Sequence, residues 1–319
     1  MNLILTALLI NYLFITKHQS LPTMTSSTTS SQTTSTTTQV NASKDQSIFI
    51  IRHGDRWDYS HPEWKESAQR KGDPSLSTLG HRQAREVGQC LDALFVKEGI
   101  HAKDVTLLSS PFLRCIQTSN ELLSEFRQCQ GDVSESVQIK PEYSIFEFDL
   151  WNDGLHHSLP ETMEERKNYF PRIDVSHQST FVPNVPESVD EFLKRCEDAM
   201  EHLEKEHGSK PVLILVTHAA CCIGLAKAAT KLTLQDVNPA APCSIYRLKR
   251  QKSTASTETT PSAWEMDHHS TENGFNGFTG HLKDDLGNTF PWNHFGRNEQ
   301  NRGEVGAGYT GPLQKQNKN

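Results

Sequence analysis

The sequence lacks an excess of positive charge. Its 319 residues hold 32 Lys and Arg against 39 Asp and Glu, a net charge of -7. Nucleic-acid binders use surplus basic residues to displace counterions from phosphates, so the charge argues against a nucleic-acid partner. Apolar residues are also scarce, at 35%. That share is below the usual one for a globular domain, which indicates that part of the chain stays outside a packed core.

Paired cysteine motifs are missing as well. The cysteines number seven, an odd count, with no Cys-x-x-Cys pair. Disulfide frameworks and structural zinc sites show even numbers and paired spacings, so we expect reduced thiols and no zinc. The histidine pairs 156–157 and 268–269 lack the i,i+4 spacing of helical metal ligands, and we expect them to be solvated. No cofactor is predicted.

The N-terminus has no apolar run long enough to span a bilayer comfortably. Residues 3–15 are apolar, but the usual basic residues before such a segment are absent. Two interpretations stay open: residues 1–23 are a signal peptide, which implies the secretory pathway, or translation starts at Met24, which implies the cytoplasm. No stable membrane association is expected. Residues 24–45 are rich in Ser and Thr, with 13 of the 14 residues at 25–38, and predict a disordered linker.

Strands and helices alternate over residues 46–282, which we interpret as one domain. Short apolar runs predict strands at 48–51, 105–110, 136–141, 211–218 and 243–250. Helical spacing predicts helices at 78–96, from Pro111 to Phe126, at 187–207 and at 219–229. The alternation predicts a three-layer α/β sandwich, with a mostly parallel central sheet and helices on both faces.

The connections of this domain are less regular. Residues 142–185 carry prolines, paired histidines and aromatics, and we expect them to cover the site. Residues 263–269 predict a last strand that pairs back as a hairpin across a flexible loop near 251–262. Residues 283–319 have no periodicity and predict a disordered tail.

Three predicted strands run directly into polar residues. The three segments are Arg52-His53-Gly54, Ser109-Ser110-Pro111 with Arg114, and Thr217-His218. Sites in α/β sheets form outside the carboxyl ends of the strands. A single arginine at a strand end is usually only solvated, and a single histidine is often a core residue. The convergence of three such strands instead predicts a cationic pocket, with Gly54 allowing a tight backbone turn.

The same segments resemble a known family. "RHG", "SSPFLRCIQT" and "LVTHAA" resemble the three signatures of the histidine phosphatase superfamily, also called phosphoglycerate mutase-like, over residues 48–250. "RHGDRWD", "IFEFDLW" and "PESVDEFLKRC" are similar to the Sts-type eukaryotic phosphatase domain. The resemblance implies a phosphoglycerate mutase-like fold and a metal-independent phosphomonoesterase.

The resemblance also implies roles for individual residues. His53 would attack phosphorus and form a phosphohistidine, for which its imidazole must be neutral. Guanidinium groups match the geometry of phosphoryl oxygens, and this role falls to Arg52, Arg56 and Arg114. His218 would act in catalysis by donating to the phosphoryl group from the opposite side.

The proton donor is less clear from the sequence. A leaving alkoxide or phenolate needs a proton, and water must later lose one. The resemblance places this group at Glu147, while Glu142 and Asp149 are nearby alternatives. Asp55 is expected to be a partner of an arginine.

Some features depart from the family pattern. Ala-Ala-Cys-Cys follows His218, where relatives often have Gly and then Ser or Thr, and this could alter substrate contacts. Mutases of the superfamily normally have Ser at the position of Arg56, so phosphatase activity is favoured. A phosphate-binding scaffold with little turnover, and a phosphoglycerate mutase, are the alternatives. The phosphorylated substrate could be a phosphotyrosine protein, a steroid phosphate or a small metabolite. Whether the chain forms a homodimer is left open by the sequence.

Overall fold

The described part of the chain forms the body of the predicted domain. The computed structural model describes residues 46–126, 137–148, 162–237, 240–250 and 264–267. All of them belong to the compact unit that begins at Ser43. No helix within these ranges is both long and apolar enough to cross a membrane. The predicted segments that lie outside the described residues are the leader 1–23, the linker 24–45, the loop 251–262 and the tail 283–319.

A six-stranded sheet forms the centre. Its strands are β1 (Gln46–Arg52), β2 (Val105–Ser109), β3 (Ile139–Pro141), β4 (Val212–Thr217), β5 (Ile245–Arg250) and β6 (Glu265–Met266). Their spatial order is β3-β2-β4-β1-β5-β6. The four strands from β3 to β1 pair in parallel, whereas β5 is antiparallel to both β1 and β6. The mostly parallel sheet and the final hairpin are therefore confirmed.

The helices are α1 (Trp57–Ser60), α2 (Trp64–Ser67), α3 (Thr78–Glu98), α4 (Leu113–Ser124), α5 (Met163–Lys167), α6 (Val189–His207) and α7 (Ala219–Thr230). Single 3-10 turns cover Ala102–Asp104 and Tyr143–Ile145. The predicted start of α4 at Pro111 is wrong. Phe112 is still extended, with φ -62° and ψ 143°, so the first helical residue is Leu113.

The side chains of β1 alternate between two helical layers. Ile48 and Ile50 join a buried cluster with residues of α6 and α7. Phe49 and Ile51 join a second cluster with residues of α3 and α4. Because successive side chains of a strand point to opposite faces, this division places one helix pair on each face of the sheet. The predicted three-layer sandwich is confirmed.

The strand register brings the polar strand ends to one edge. Arg52 of β1 lies beside Thr217 of β4, and Ser109 of β2 lies beside Val216 of the same strand. Parallel strands end at a common edge of the sheet, so the residues that follow them leave the sheet together. His53 donates its backbone N–H to Thr217 O at 2.9 Å, which holds the first of these residues against β4.

Two glycines bring α3 against the end of β1. A Cβ on Gly54 would lie 2.6 Å from Gly80 O, and a Cβ on Gly80 would lie 2.2 Å from Asp55 O. Ser77 caps the helix by accepting from the Gly80 N–H at 3.0 Å, and its hydroxyl donates to the Asp55 carboxylate at 2.5 Å. Gly54 therefore serves a close backbone approach to α3, and its φ is not in the left-handed region.

Gly80→Ala should destabilise the protein although alanine favours helices. The added methyl group would overlap the backbone of Asp55, which cannot move aside, and we expect a loss of about 2–3 kcal/mol in the free energy of unfolding. Gly99→Ala is the control, because its Cβ would meet nothing within 4 Å. There only the left-handed conformation opposes the change, at about 1 kcal/mol. Urea unfolding of both variants measures the difference, and equal losses would contradict the packing argument.

Candidate active site

Five of the six predicted site residues come together at the edge formed by β1, β2 and β4. These five are Arg52, His53, Arg114, Glu147 and His218, and each is at most 7% exposed. The His53 and His218 rings meet edge to face, with centroids 5.3 Å apart. Such a concentration of buried titratable groups is characteristic of functional sites.

The hydrogen bond of His53 fixes which nitrogen can react. His53 Nδ1 lies 2.7 Å from Gly54 O. A carbonyl oxygen only accepts, so Nδ1 carries the proton and the neutral ring keeps its lone pair on Nε2. Burial, followed by the charges of Arg114, Arg52 and His218, lowers the pKa of His53 well below its ordinary value. His53 is therefore a neutral imidazole at neutral pH, with the free lone pair on Nε2.

Both ring nitrogens of His218 have protein partners. Nε2 lies 2.8 Å from Ser110 Oγ, and Nδ1 lies 3.0 Å from Glu147 Oε2. Burial lowers the pKa of His218 to about 4 even though Glu147 opposes the shift. The neutral ring can donate from Nδ1 to Glu147 while Nε2 accepts from the Ser110 hydroxyl. Direct donation from His218 to a phosphoryl oxygen stays a prediction.

Arg114 is the central cation of the cluster. One of its terminal nitrogens lies 3.2 Å from both Glu147 Oε2 and His218 Nδ1. The other donates to Gly72 O at 3.2 Å, and the guanidinium stacks 4.4 Å above the Phe112 ring. Its Nε is buried and has no hydrogen-bond partner within the described residues. A buried N–H without a partner favours binding of an acceptor such as a phosphoryl oxygen.

The carboxylates near the site have distinct surroundings. Glu147 contacts both Arg114 and His218, and its role as the proton donor stays a prediction. Glu142 is instead held by His177 and Ser179, at 3.2 and 2.6 Å, and these and other hydrogen bonds outweigh burial and lower its pKa. Glu142 thus ties the chain around Ser179 to β3, which argues against it as the acid.

Two other acidic residues complete this comparison. Asp149 lies outside the described residues. The Asp55 carboxylate accepts from Ser77, and its predicted contact with an arginine stays a prediction.

Arg56 differs from the other predicted arginines. It forms a two-pronged ion pair with Asp58, at 3.0 and 2.8 Å, and its guanidinium lies 4.7 Å from the Tyr59 ring. Burial disfavours its charge, but Tyr59 and Asp58 outweigh burial and raise the pKa of Arg56. Its charge also contributes to lowering the pKa of His218. Arg56 therefore borders the cluster, and its role as a phosphate ligand stays a prediction.

Sequence reasoning missed the residue that anchors Arg114. Asp73 accepts from the backbone N–H of Leu113 at 2.7 Å, forms an ion pair with Arg166 and lies 3.8 Å from Arg114. Asp73 sits in a loop without a recognisable motif, so no sequence signal could have identified it. Thr118, within the quoted "SSPFLRCIQT", accepts from Gly54 N at 3.1 Å and so links α4 to the loop after β1.

Two thiols border the cluster without being reactive. Cys115 Sγ lies 3.5 Å from His218 Nε2, and burial raises the pKa of this thiol above its usual range. Cys221 Sγ donates to Phe146 O at 2.8 Å, and burial raises its pKa to about 12. Cys221 belongs to the Ala-Ala-Cys-Cys departure, and its contact is with the backbone next to Glu147.

The cluster can hold either an anion or a metal by its donor atoms alone. His53, Glu147 and His218 each offer one atom within 4.8 Å of the others, as three metal ligands would. The charges favour an anion, because the Arg114 guanidinium lies within hydrogen-bonding distance of both Glu147 and His218. A cation there would be repelled by Arg114 and by nearby Arg52, whereas a phosphoryl group would be attracted.

The fold and site together define an α/β protein with a buried, arginine-lined site around two histidines. A model of the histidine phosphatase superfamily (branch 1) matches residues 48–260, more than half of the chain. The chain belongs to the histidine phosphatase superfamily. The resemblance found in the sequence, including its likeness to the Sts-type domain, is confirmed.

Curated relatives match over part of their length. Human ubiquitin-associated and SH3 domain-containing protein A is 26% identical over 206 residues, covering 55% of this chain and 30% of that protein. The ecdysteroid-phosphate phosphatase of Bombyx mori is 28% identical over 224 residues, covering 60% of this chain and 32% of that protein. The chain thus spans about a third of the length of these relatives.

Solved structures match with lower similarity. The tungstate complex of the ecdysone phosphate phosphatase from Bombyx mori has a TM-score of 0.48 and 22% identity, and the match covers 71% of this chain and 99% of that one. A mycobacterial glucosyl-3-phosphoglycerate phosphatase has a TM-score of 0.43 and 15% identity, with 70% and 98% covered.

Asp73→Asn should destabilise the fold. Asparagine keeps an oxygen for the Leu113 N–H but removes the charge between two buried arginines, and we expect a loss of about 3 kcal/mol in the free energy of unfolding. Glu197→Gln is the control, because its ion pair with Lys227 at 3.3 Å is largely exposed and should contribute less than about 0.5 kcal/mol. Urea unfolding gives both values. Similar losses in the two variants would mean that Asp73 does not anchor the arginines.

His53 should titrate at lower pH than an ordinary histidine. Burial and the arginines disfavour the imidazolium form, so the ring stays neutral as the pH falls through about 6.5 and takes up its proton only further down. Nitrogen-detected NMR of the histidine rings measures this pKa, and His53→Ala assigns the signal. The neutral form should carry its proton on Nδ1. A pKa near 6.5, or a proton on Nε2, would contradict the described environment.

Proposed function

We propose that this chain is a metal-independent phosphomonoesterase that works through a phosphohistidine on His53. The observation that carries the proposal is the hydrogen bond from His53 Nδ1 to Gly54 O at 2.7 Å, which leaves a neutral Nε2 among arginines. Membership of the histidine phosphatase superfamily supports it. Arg52, Arg56 and Arg114 are the proposed ligands of the phosphoryl oxygens. They would supply the positive charge that a metal ion supplies in other phosphoryl-transfer enzymes.

The first step transfers the phosphoryl group to the enzyme. His53 Nε2 forms the N–P bond while the bond from phosphorus to the ester oxygen breaks. Glu147, protonated for this step, gives its proton to the departing oxygen. The Nδ1–H bond to Gly54 O persists and stabilises the cationic phosphohistidine. His218 holds Glu147 in place through its Nδ1 contact of 3.0 Å.

The second step returns the enzyme to its starting state. Glu147, now a carboxylate, takes a proton from water as the water oxygen bonds to phosphorus. The P–N bond breaks, its electron pair returns to His53 Nε2, and inorganic phosphate leaves. Atoms and charges balance over the two steps, because the proton given in the first is recovered in the second.

The proposed substrate is a phosphomonoester, and three classes of organic group are candidates for its leaving group. The name of the Bombyx mori relative makes ecdysteroid phosphates one candidate class. Phosphotyrosine peptides and small phosphorylated metabolites are the others. A panel with all three classes, assayed with the full chain, would rank them by kcat/KM.

His53→Ala should abolish the hydrolysis of para-nitrophenyl phosphate, by about a thousandfold or more, because the nucleophile is removed. Wild-type activity should survive a metal chelator. After rapid quenching in alkaline denaturant, radiolabelled phosphate should remain bound to the wild type through an alkali-stable, acid-labile linkage and be absent from the variant.

His207→Ala is the matched control, since His207 ends α6 and is outside the cluster. Full activity of His53→Ala would overturn the proposal. Loss of wild-type activity in chelator would instead favour a metal bound by His53, Glu147 and His218. No turnover on any phosphate, with phosphate still bound, would favour the scaffold alternative.

A further inference from the structure

Glu147 lies on a segment that has no regular secondary structure to hold it. The 3-10 turn Tyr143–Ile145 ends just before it, and Phe146 is extended, with φ -61° and ψ 161°. A carboxylate on such a segment moves with its backbone. Proton transfer requires hydrogen-bonding distance to the departing oxygen, so the position of this backbone decides whether Glu147 can act.

Side chains from two different elements, α6 and β4, fix the backbone before Glu147. Arg195 of α6 donates from one terminal nitrogen to Ser144 O at 2.9 Å and to Phe146 O at 3.1 Å. Thr217 of β4 donates to Ile145 O at 2.6 Å. These bonds satisfy three consecutive carbonyl groups that no helix or strand would satisfy.

Arg195 is itself held rigidly. Glu187 accepts from its Nε and its second terminal nitrogen at 2.8 and 2.5 Å, and both residues are at most 6% exposed. The guanidinium also lies 5.1 Å from the Phe192 ring. A planar guanidinium can engage one carboxylate along one side and two carbonyls from its remaining nitrogen. The compact ammonium of lysine cannot reproduce that arrangement.

We propose that Arg195, oriented by Glu187, is the positioning residue for the proton donor Glu147. This inference rests on the proposed function and assigns Arg195 no contact with the substrate. It acts through the carbonyls of Ser144 and Phe146. Arg195 lies in the "PESVDEFLKRC" segment, far along the chain from the strand-end motifs.

The role predicts a particular dependence on the leaving group. An alkoxide is strongly basic and cannot depart without a proton, whereas para-nitrophenolate departs readily without one. Arg195→Lys should therefore lower kcat/KM for an alkyl phosphate such as glycerol phosphate by about 10- to 100-fold, as expected for a displaced catalytic group. For para-nitrophenyl phosphate the loss should be less than about threefold. kcat/KM is the relevant constant because it reports the first phosphoryl transfer.

The experiment compares three variants with the wild type on both substrates. Glu187→Gln keeps the charge of Arg195 but weakens its anchor, and should give a smaller change in the same direction. Arg247→Lys is the matched control, because Arg247 is a buried arginine that pairs with both oxygens of Glu98 at 2.7 and 2.5 Å, away from Glu147. It should leave the ratio of the two kcat/KM values unchanged.

A double-mutant cycle tests positioning against a general loss of structure. In a Glu147→Gln background, Arg195→Lys should have no further effect on the ratio of the two substrates, because the group it positions is gone. Equal losses on both substrates, or additive effects in the cycle, would overturn the inference. If Arg195→Lys does not fold, Glu187→Gln in the same cycle decides the question. Failure of the proposed function is distinguishable, since it would appear as full activity of His53→Ala.

Discussion

The parallel alignment of β1, β4 and β2 is the constraint on which the rest of the site depends. Arg52 lies beside Thr217, and Ser109 lies beside Val216, so the three chains leave the sheet at one edge. A shift of one residue in this register would turn the following side chains to the opposite face of the sheet. The largely apolar interiors of these strands pack between two helix layers, which fixes the register and therefore the position of the site.

The site gathers buried charges whose desolvation must be offset by partners. Arg114 contacts Glu147 and lies near Asp73, while Arg195 binds Glu187. Arg114 and Arg195 are thus each matched by a carboxylate, which limits the electrostatic cost of burying their charges. Burial acts differently on His53 and His218, because it lowers the pKa of both rings and keeps them neutral. A site with fixed cations and neutral imidazoles suits a dianionic phosphoryl group. The dipoles and charges of such a site need no reorganisation when the phosphoryl group binds.

The sequence was sufficient for the architecture and for the strand-end residues. Apolar runs and helical spacing predict each layer, and Arg52, His53, Arg114 and His218 lie at or just after the ends of strands that meet at one edge. Glu147 could be assigned only through family resemblance, because no regular element carries it. The anchoring residues could not be predicted: Asp73 lies in a loop, and the interaction of Arg195 with Ser144 O joins positions 51 residues apart through tertiary packing alone. The close approach of Gly54 to Gly80 could not be predicted either, because a sequence does not reveal how closely two backbones approach.

The burial of the thiols at the site bears on how the enzyme would tolerate oxidants. Peroxides and electrophiles react with thiolates, and both Cys115 and Cys221 are kept protonated by burial. Cys221 moreover uses its S–H as a hydrogen-bond donor to Phe146 O. On the proposed mechanism, in which an imidazole is the nucleophile and the neighbouring thiols are protonated, turnover would continue in peroxide, under conditions that inactivate enzymes whose nucleophile is a cysteine.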